Sequence, residues 1–296
     1  MMELHMNDKL TRETSMPLFM HGIDPLIHLA LSEDIGAGDI TTGPLVSPKL
    51  QGKAVIIAKE SLVVAGLDVA RRVFRTLDPE TDFRACCCDG DRMSPADVVV
   101  ELEGRMTTLL TGERTALNFL QRMSGVATHV RSYADALKGT RVRLVDTRKT
   151  TPGWRALEKY AVRIGGGCNL RGGLFDGVLV KDNHIAACGG IEAAVSRIRN
   201  QLSHLVKIEV ETSTLEEVRQ ALASGVDVIM LDNMNIDQIC RAVAIIDGKA
   251  LVEVSGGITR ENLHDLARTG VDVISVGALT HSARAVDLSM KIHPPE

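Results

Sequence analysis

The chain has 296 residues, a formal net charge of −4, 45% hydrophobic and 24% charged residues, which suits one barrel-sized domain plus a smaller one around a large core. Aromatic residues make up only 3%, which argues against a base-stacking nucleic-acid surface, and no global basic field exists to attract a polyanion. Any anionic ligand must therefore be held by locally placed cations.

No apolar run approaches membrane-spanning length, and the Met-rich start lacks a continuous signal-peptide core. A soluble, cytoplasmic protein with a flexible N-terminus over residues 1–23, and no membrane or nucleic-acid partner, is expected. The cysteines Cys86, Cys87, Cys88, Cys168, Cys188 and Cys240 form no C-x-x-C pair. Neighbours on a strand point to opposite faces, so Cys86–Cys88 cannot clamp one metal, and reduced thiols are expected.

The first expected helix is Asp24–Asp34, with Asp24 as cap, Pro25 in the first turn, an apolar face of Leu26, Ile27 and Ala30, and a stop at Gly36 and Gly38. Strand-like runs follow at Ala54–Ala58 and Leu62–Ala65. An amphipathic helix then passes through Val69, Val73, Phe74 and Leu77 and stops before Pro79. Phe83–Cys88 and Val98–Leu102 read as further strands, with Asp89-Gly90 as turn residues between them. Helical pattern runs from Thr107 to Leu137, punctuated by Gly125 and Gly139. This predicts a small α+β sandwich domain with its linking helix over residues 24–125.

From Val142 to Ala278 one pattern recurs. A β-branched run ends in a polar, charged or glycine residue, and a helical stretch follows. The runs are Val142–Val145 into Asp146–Lys149, Val178–Val180 into Lys181–His184, Val206–Val210 into Glu211, Val228–Leu231 into Asp232-Asn233, Leu251–Val254 into Ser255–Gly257, and Val271–Val276 into Gly277. Ser213 with Glu216, Asn235 and Thr259 are the expected caps of the intervening helices. In a parallel α/β barrel the carboxyl ends of the strands meet on one face, so these groups converge on one site. Six strands are legible, and closure of the barrel, over residues 126–296, is inferred.

Among the converging residues, Arg148 and Lys149 share one strand end, Lys181 stands at another, and Arg171 lies in the glycine-rich segment Gly165–Gly173. Clustered like charges repel unless an anion belongs between them. An Arg fork suits carboxylate or phosphate and Lys suits a point charge. Glu209 and Glu211 share a strand face, and Asp232 ends the next strand. Such oxygens either bind Mg²⁺ together with substrate phosphates or neutralise the cations, and spacing alone leaves both open. The turns Ser255-Gly256-Gly257 and Val276-Gly277-Ala278 each precede a helix, as in a barrel phosphate site. Gly165–Gly167 reads as a plain turn rather than an anion nest. His184 and His281 lie at or beyond strand ends, within reach of a substrate. No His/Cys cluster has zinc spacing.

These residues resemble a family. Glu33–Gly36, Gly38–Thr42, Glu113–Asn118 through Gly125, Asp146–Gly153, Gly165–Leu174, Lys181–His184, Leu231–Asn233, Ser255–Gly257 and Leu279–Ser282 are similar, in order, to the motifs of quinolinate phosphoribosyltransferases. The match runs from about Asp24 to Met290.

The resemblance implies an open seven-stranded parallel α/β barrel of TIM-like form beside the N-terminal sandwich. It implies a pentosyltransferase of NAD biosynthesis that makes nicotinate mononucleotide, CO₂ and pyrophosphate from quinolinate and phosphoribosyl pyrophosphate, with Mg²⁺ and no organic cofactor. A homodimer with shared active sites is also implied, with dimer against hexamer left open. By motif, Arg114 reaches quinolinate from the partner subunit, and Arg148 and Arg171 bind its carboxylates. Thr147 belongs to the same loop, and Lys149 and Lys181 lie between the two substrates. Glu211 and Asp232 hold ribose and Mg²⁺ through water or substrate. Ser255, Gly256, Gly257, Val276, Gly277, Ala278 and His281 surround the 5′-phosphate. Lys149, Glu211 and Asp232 are the expected catalytic groups. One departure is Leu170, where the family has histidine. The rivals are a phosphoribosyltransferase acting on nicotinate or another pyridine acid, and a catalytically silent ligand-binding relative.

Overall fold

The structure, a computed structural model, describes residues 22–293, so the segment 1–23 expected to be flexible lies almost wholly outside the described residues. The N-terminal part contains α1 (Ile23–Ile35), α2 (Thr42–Leu45), β1 (Gln51–Ala58), β2 (Leu62–Val63), α3 (Leu67–Leu77), β3 (Asp82–Ala85), β4 (Arg92–Met93) and β5 (Val98–Arg105). The long α4 (Met106–Ala136) follows. Strands and helices then alternate: β6 (Arg143–Val145), α5 (Arg155–Gly165), β7 (Val178–Val180), α6 (Asp182–Cys188), α7 (Ile191–Arg199), β8 (Ile208–Thr212), α8 (Leu215–Ala223), β9 (Val228–Asp232), α9 (Ile236–Ile246), β10 (Leu251–Ser255), α10 (Leu263–Ala267), β11 (Val273–Ser275) and α11 (Ala278–His281). The last element is β12 (Leu288–His293).

Period explains the small domain. α1 buries Ile23, Ile27 and Leu31 at four-residue spacing. It starts at Gly22 without a side-chain cap. Asp24, the expected cap, sits inside the first turn and accepts from Arg72 at 3.0 Å instead. β1 buries Gly52, Ala54, Ile56 and Ala58 in strict alternation, with Ala54 opposite Leu102 and Ile56 opposite Val100 of β5. The antiparallel sheet has the order β12-β1-β5-β3. Its outer strand thus comes from the far end of the chain, Leu288 facing Ala58 and Ile292 facing Ala54. A boundary at residues 125/126 falls inside α4 and leaves β12, an N-terminal-sheet strand, on the C-terminal side. Without it β1 would present a row of unpaired backbone groups.

α4 has 31 residues, a length of about 46 Å, and packs on α3, on the small sheet and on α5. Gly125 does not punctuate it. A Cβ there would strike the Arg284 carbonyl oxygen and lie 3.0 Å from Ala285 Cα, so this glycine is where the chain before β12 crosses the helix. Among the described residues no helix is long and apolar enough to cross a membrane.

The second layer is a parallel sheet of six strands in the order β6-β11-β10-β9-β8-β7, flanked by the helices that join them. The seventh strand is reduced to one parallel bridge between Val145 and Cys168, where Cys168 N donates to Leu144 O at 2.8 Å and Asp146 N to Cys168 O at 3.1 Å. No pairing joins Cys168 to β7 among the described residues, so the barrel is open there. Gly166, at φ 99°, caps α5 and turns the chain into that bridge. Two caps differ from expectation. Thr214 and Glu217 close the box on α8, one residue after Ser213 and Glu216, while Asn235 caps α9 as its sequence predicts. Thr259 caps nothing, because the Asn262 side chain binds its amide and the Gly257 carbonyl, each at 3.0 Å, and α10 begins only at Leu263.

Candidate active site

Strand pairing aligns the polar strand ends. Leu179 of β7 lies opposite Glu209 of β8, which sets Lys181 beside Glu211. Glu211 lies opposite Met230, Glu253 of β10 is also opposite Met230, and Ser255 is opposite Asp232. In-register residues share a face and alternate ones continue it. Lys181, Glu211, Asp232 and Ser255 therefore stand at successive strand ends on one face, and the Lys181 ammonium ion-pairs with the Glu211 carboxylate. Asp232 is half-buried and accepts from Asn233 Nδ2 at 2.8 Å.

One layer deeper, Glu209 and Glu253 are 8% and 1% exposed and interact carboxyl to carboxyl. Burial and the facing Glu253 push the Glu209 carboxyl up to about 8, against the pull of Arg171 and Lys181. Burial likewise pushes Glu253 up, although Ser275 and Glu209 bond to it. The sequence places Glu209 on one strand face with Glu211, with metal binding and charge neutralisation both open, and Glu253 is not among the expected site residues. The signal was available: Glu253 precedes Ser255 by two residues, as Glu209 precedes Glu211.

Arg148 and Arg171 lie near each other and near Glu209, with Lys149 next to Arg148 in the chain. Among the described residues Arg148, Lys149 and Arg171 form no ion pair, and Arg148 Nε is buried without any hydrogen-bond partner. Arg171 donates to the Gly177 carbonyl at 3.0 Å. Burial and the neighbouring Arg148 charge hold its guanidinium below its usual range, eased by Glu209. Such a cluster is costly unless an anion completes it.

Thr147 Oγ1 accepts from Lys149 N at 3.0 Å, and the Lys149 side chain runs over Gly277. A Cβ on Gly277 would lie 2.8 Å from Lys149 Cδ and 3.3 Å from His281 Nε2. Val276 is buried and its amide bonds to the Val145 carbonyl at 3.0 Å, tying this turn to the Arg148 strand. Gly277 and Ala278 open the single turn α11. After the adjoining strand β10, Gly256 and Gly257 have φ of 88° and 61°. A side chain at Gly256 would overlap Asn233, whose Cγ lies 2.6 Å from the Cβ position. The exposed backbone of this turn can therefore approach a phosphate closely.

Two expected residues differ in setting. His184 Nδ1 accepts from Lys181 N at 3.0 Å, closing the cap of α6. Arg114 is exposed on the small-domain half of α4 and lines a depression of about 300 Å³ with Asp34, Asp39, Ile40 and Thr111. None of the strand-end residues lines that depression. Leu170, half-buried, donates its amide to Asp146 at 2.9 Å and has no polar group to offer a ligand.

Comparison with known proteins decides the family. Residues 126–291 match the C-terminal domain and residues 39–124 the N-terminal domain of quinolinate phosphoribosyl transferase. The chain belongs to that family. A protein of Synechocystis sp., named probable nicotinate-nucleotide pyrophosphorylase (carboxylating), is 47% identical over 273 residues, covering 91% of this chain and 92% of its own. Quinolinate phosphoribosyltransferase (decarboxylating) 1 of Nicotiana glauca is 39% identical over 286 residues, covering 90% and 81%. The crystal structure of NadC from Streptococcus pyogenes superposes with a TM-score of 0.89 at 42% identity, over 93% of this chain and 97% of that one.

Proposed function

We propose that this protein transfers the phosphoribosyl group of phosphoribosyl pyrophosphate to the ring nitrogen of quinolinate and releases CO₂, pyrophosphate and nicotinate mononucleotide. The observation that carries the reading is the trio Arg148, Lys149 and Arg171, none of which forms an ion pair among the described residues, with Arg148 Nε buried and unbonded. A dianionic pyridine acid supplies the missing charge.

In this reading Arg148 and Arg171 hold the two carboxylates and orient the ring nitrogen toward the sugar. Ser255–Gly257 and Gly277 offer backbone amides to the 5′-phosphate, with His281 beside them. The nitrogen lone pair forms the bond to C1 as the C1–oxygen bond breaks and its electrons leave with pyrophosphate, which Lys149 helps neutralise. Glu211, held by Lys181, faces the positive charge that develops on the sugar. The cationic ring nitrogen then accepts the electrons left when the adjacent carboxylate departs as CO₂, and a proton takes the vacated carbon. Glu211 and Asp232 are hard oxygen donors at neighbouring strand ends, and no group of three candidate metal ligands occurs among the described residues. That fits Mg²⁺ held by one or two carboxylates and by substrate oxygens rather than by a protein cage. Bound there, it would neutralise pyrophosphate. Arg114, absent from the strand-end cluster, completes the pocket of a second subunit in a homodimer.

A single assay tests the proposal: phosphoribosyl pyrophosphate and Mg²⁺ with quinolinate or nicotinate, following CO₂ and nucleotide. CO₂ with quinolinate alone is expected. Leu170 is the observation that favours a second reading, in which a pyridine acid with fewer carboxylates is the substrate, and turnover of nicotinate without CO₂ would establish it. No product from either acid would leave a ligand-binding protein without turnover.

A further inference from the structure

α5 turns two adjacent charged residues inward. Glu158 and Lys159 are 1% and 2% exposed, and a buried charge is tolerated only when paired and hydrogen-bonded. Their partners lie at opposite ends of the loop that carries Thr147, Arg148 and Lys149.

Lys159 Nζ binds Asp146 Oδ1 at 2.5 Å and the Leu170 carbonyl at 3.3 Å. Asn169 Nδ2 donates to Asp146 Oδ2 at 2.7 Å and to the Lys159 carbonyl at 2.9 Å, and Leu170 N donates to Asp146 Oδ1 at 2.9 Å. This network fixes the start of the loop to the segment that ends in Arg171. Glu158 makes the other connection. Its Oε2 accepts from Thr151 N at 3.0 Å and its Oε1 from Thr151 Oγ1 at 2.9 Å and Arg122 Nη2 at 2.6 Å. Arg122, from α4, also donates to the Thr280 carbonyl at 2.9 Å and to the Ala283 carbonyl. Thr280 Oγ1 closes the circuit on the Lys149 carbonyl at 2.7 Å. This second network fixes the end of the loop to the segment of Gly277 and His281.

We propose that these are two separate positioning clamps on one loop: Lys159–Asp146–Asn169 places the pyridine-acid side, and Glu158–Arg122 places the phosphoribosyl side. The inference rests on the functional reading above. Reactions between two bound substrates depend on placement within about 0.5 Å, and buried, fully bonded networks supply that rigidity. None of Arg122, Glu158, Lys159 and Asn169 needs to touch a substrate.

The test is a crossed kinetic pattern. Arg122→Ala is expected to raise the KM for phosphoribosyl pyrophosphate about tenfold, as for one lost charged hydrogen bond, and to leave the quinolinate KM within about twofold. Arg122→Lys, which keeps the charge beside Glu158, should recover part of that loss. Asn169→Ala should show the reverse pattern. Amide hydrogen exchange, read independently of turnover, should quicken over residues 149–151 and 278–284 in Arg122→Ala, and over residues 146–148 and 168–172 in Asn169→Ala. Equal rises in both KM values, or lowered Tm with both KM values and exchange unchanged, would overturn the two-clamp inference. If the unmodified protein turns over no quinolinate, the functional reading fails by itself, while exchange in the two variants still decides whether the clamps exist.

Discussion

Glu209 and Glu253 bring two carboxyl groups together inside the parallel sheet, below the Lys181–Glu211 ion pair. In the unfolded chain both ionise in the ordinary carboxylate range. In the folded chain Glu209 holds its proton up to about 8. The folded state therefore binds more protons than the unfolded one between those limits, and stability falls as pH rises through that window. Replacing Glu253 with Gln removes the like charge, so Tm should rise relative to the parent by more at pH 8 than at pH 5. Thermal unfolding at the two pH values checks this, and an equal shift at both would contradict it. At the site itself, Lys149→Ala should lower kcat with both substrates saturating, whereas an unchanged kcat would remove Lys149 from the chemistry. Leu170→His restores a donor beside Arg171, and a bond to a charged group is worth about 1.5–3 kcal/mol, so the quinolinate KM should fall by about tenfold or more. The strand-end residues were legible because period-two alternation and the barrel rule place them together without coordinates. Arg122 and Asn169 were not, because their partners Glu158 and Asp146 are 36 and 23 residues away, and no local pattern joins them.

At the level of elements, amphipathic period revealed α1, α3, α8 and α9, and β-branched runs revealed the parallel strands. Caps were less visible. Ser213 and Thr214 are equivalent by sequence, and only the folded backbone selects Thr214. One glycine also misled: Gly125 reads as a helix break and is instead a crossing point, where Gly125→Ala should destabilise by about 1–3 kcal/mol through overpacking, measurable by urea unfolding. Glu60 ties the same chain segment to the small sheet. It pairs with Arg284 and accepts from Asp287 N at 2.8 Å, and these bonds hold its carboxyl down to about 2. A depressed acid contributes stability above its unfolded pKa and loses it as pH falls toward the folded value. The stability gap between the parent and Glu60→Gln should therefore be full near neutrality and close progressively between about pH 5 and pH 2. A gap independent of pH in an acid titration would contradict this.

On the scale of the molecule, Arg114 sits apart from the strand-end cluster, and a shared site makes a sharp prediction. In the proposed homodimer, Arg114→Ala and Lys149→Ala, each expected to have strongly lowered activity alone, should regain activity when unfolded and refolded together. Half of the dimers are then mixed and each has one intact pocket, so recovery should approach about a quarter of the parent activity. No recovery would place Arg114 outside the partner's pocket. The two-domain architecture and the alternation of strands and helices are legible in the sequence, but not the return of β12, since nothing in Leu288–His293 names its partner strand.

That return has a consequence for how the protein is made. β1 emerges from the ribosome more than two hundred residues before β12, and until then it waits with one open edge, an invitation to pair with another nascent chain. The N-terminal sheet can be finished only after the entire barrel has been synthesised. Losing the final strand should therefore injure the opposite end of the sequence first, and a nascent chain stalled inside the barrel is a natural client for a chaperone that shields a bare strand.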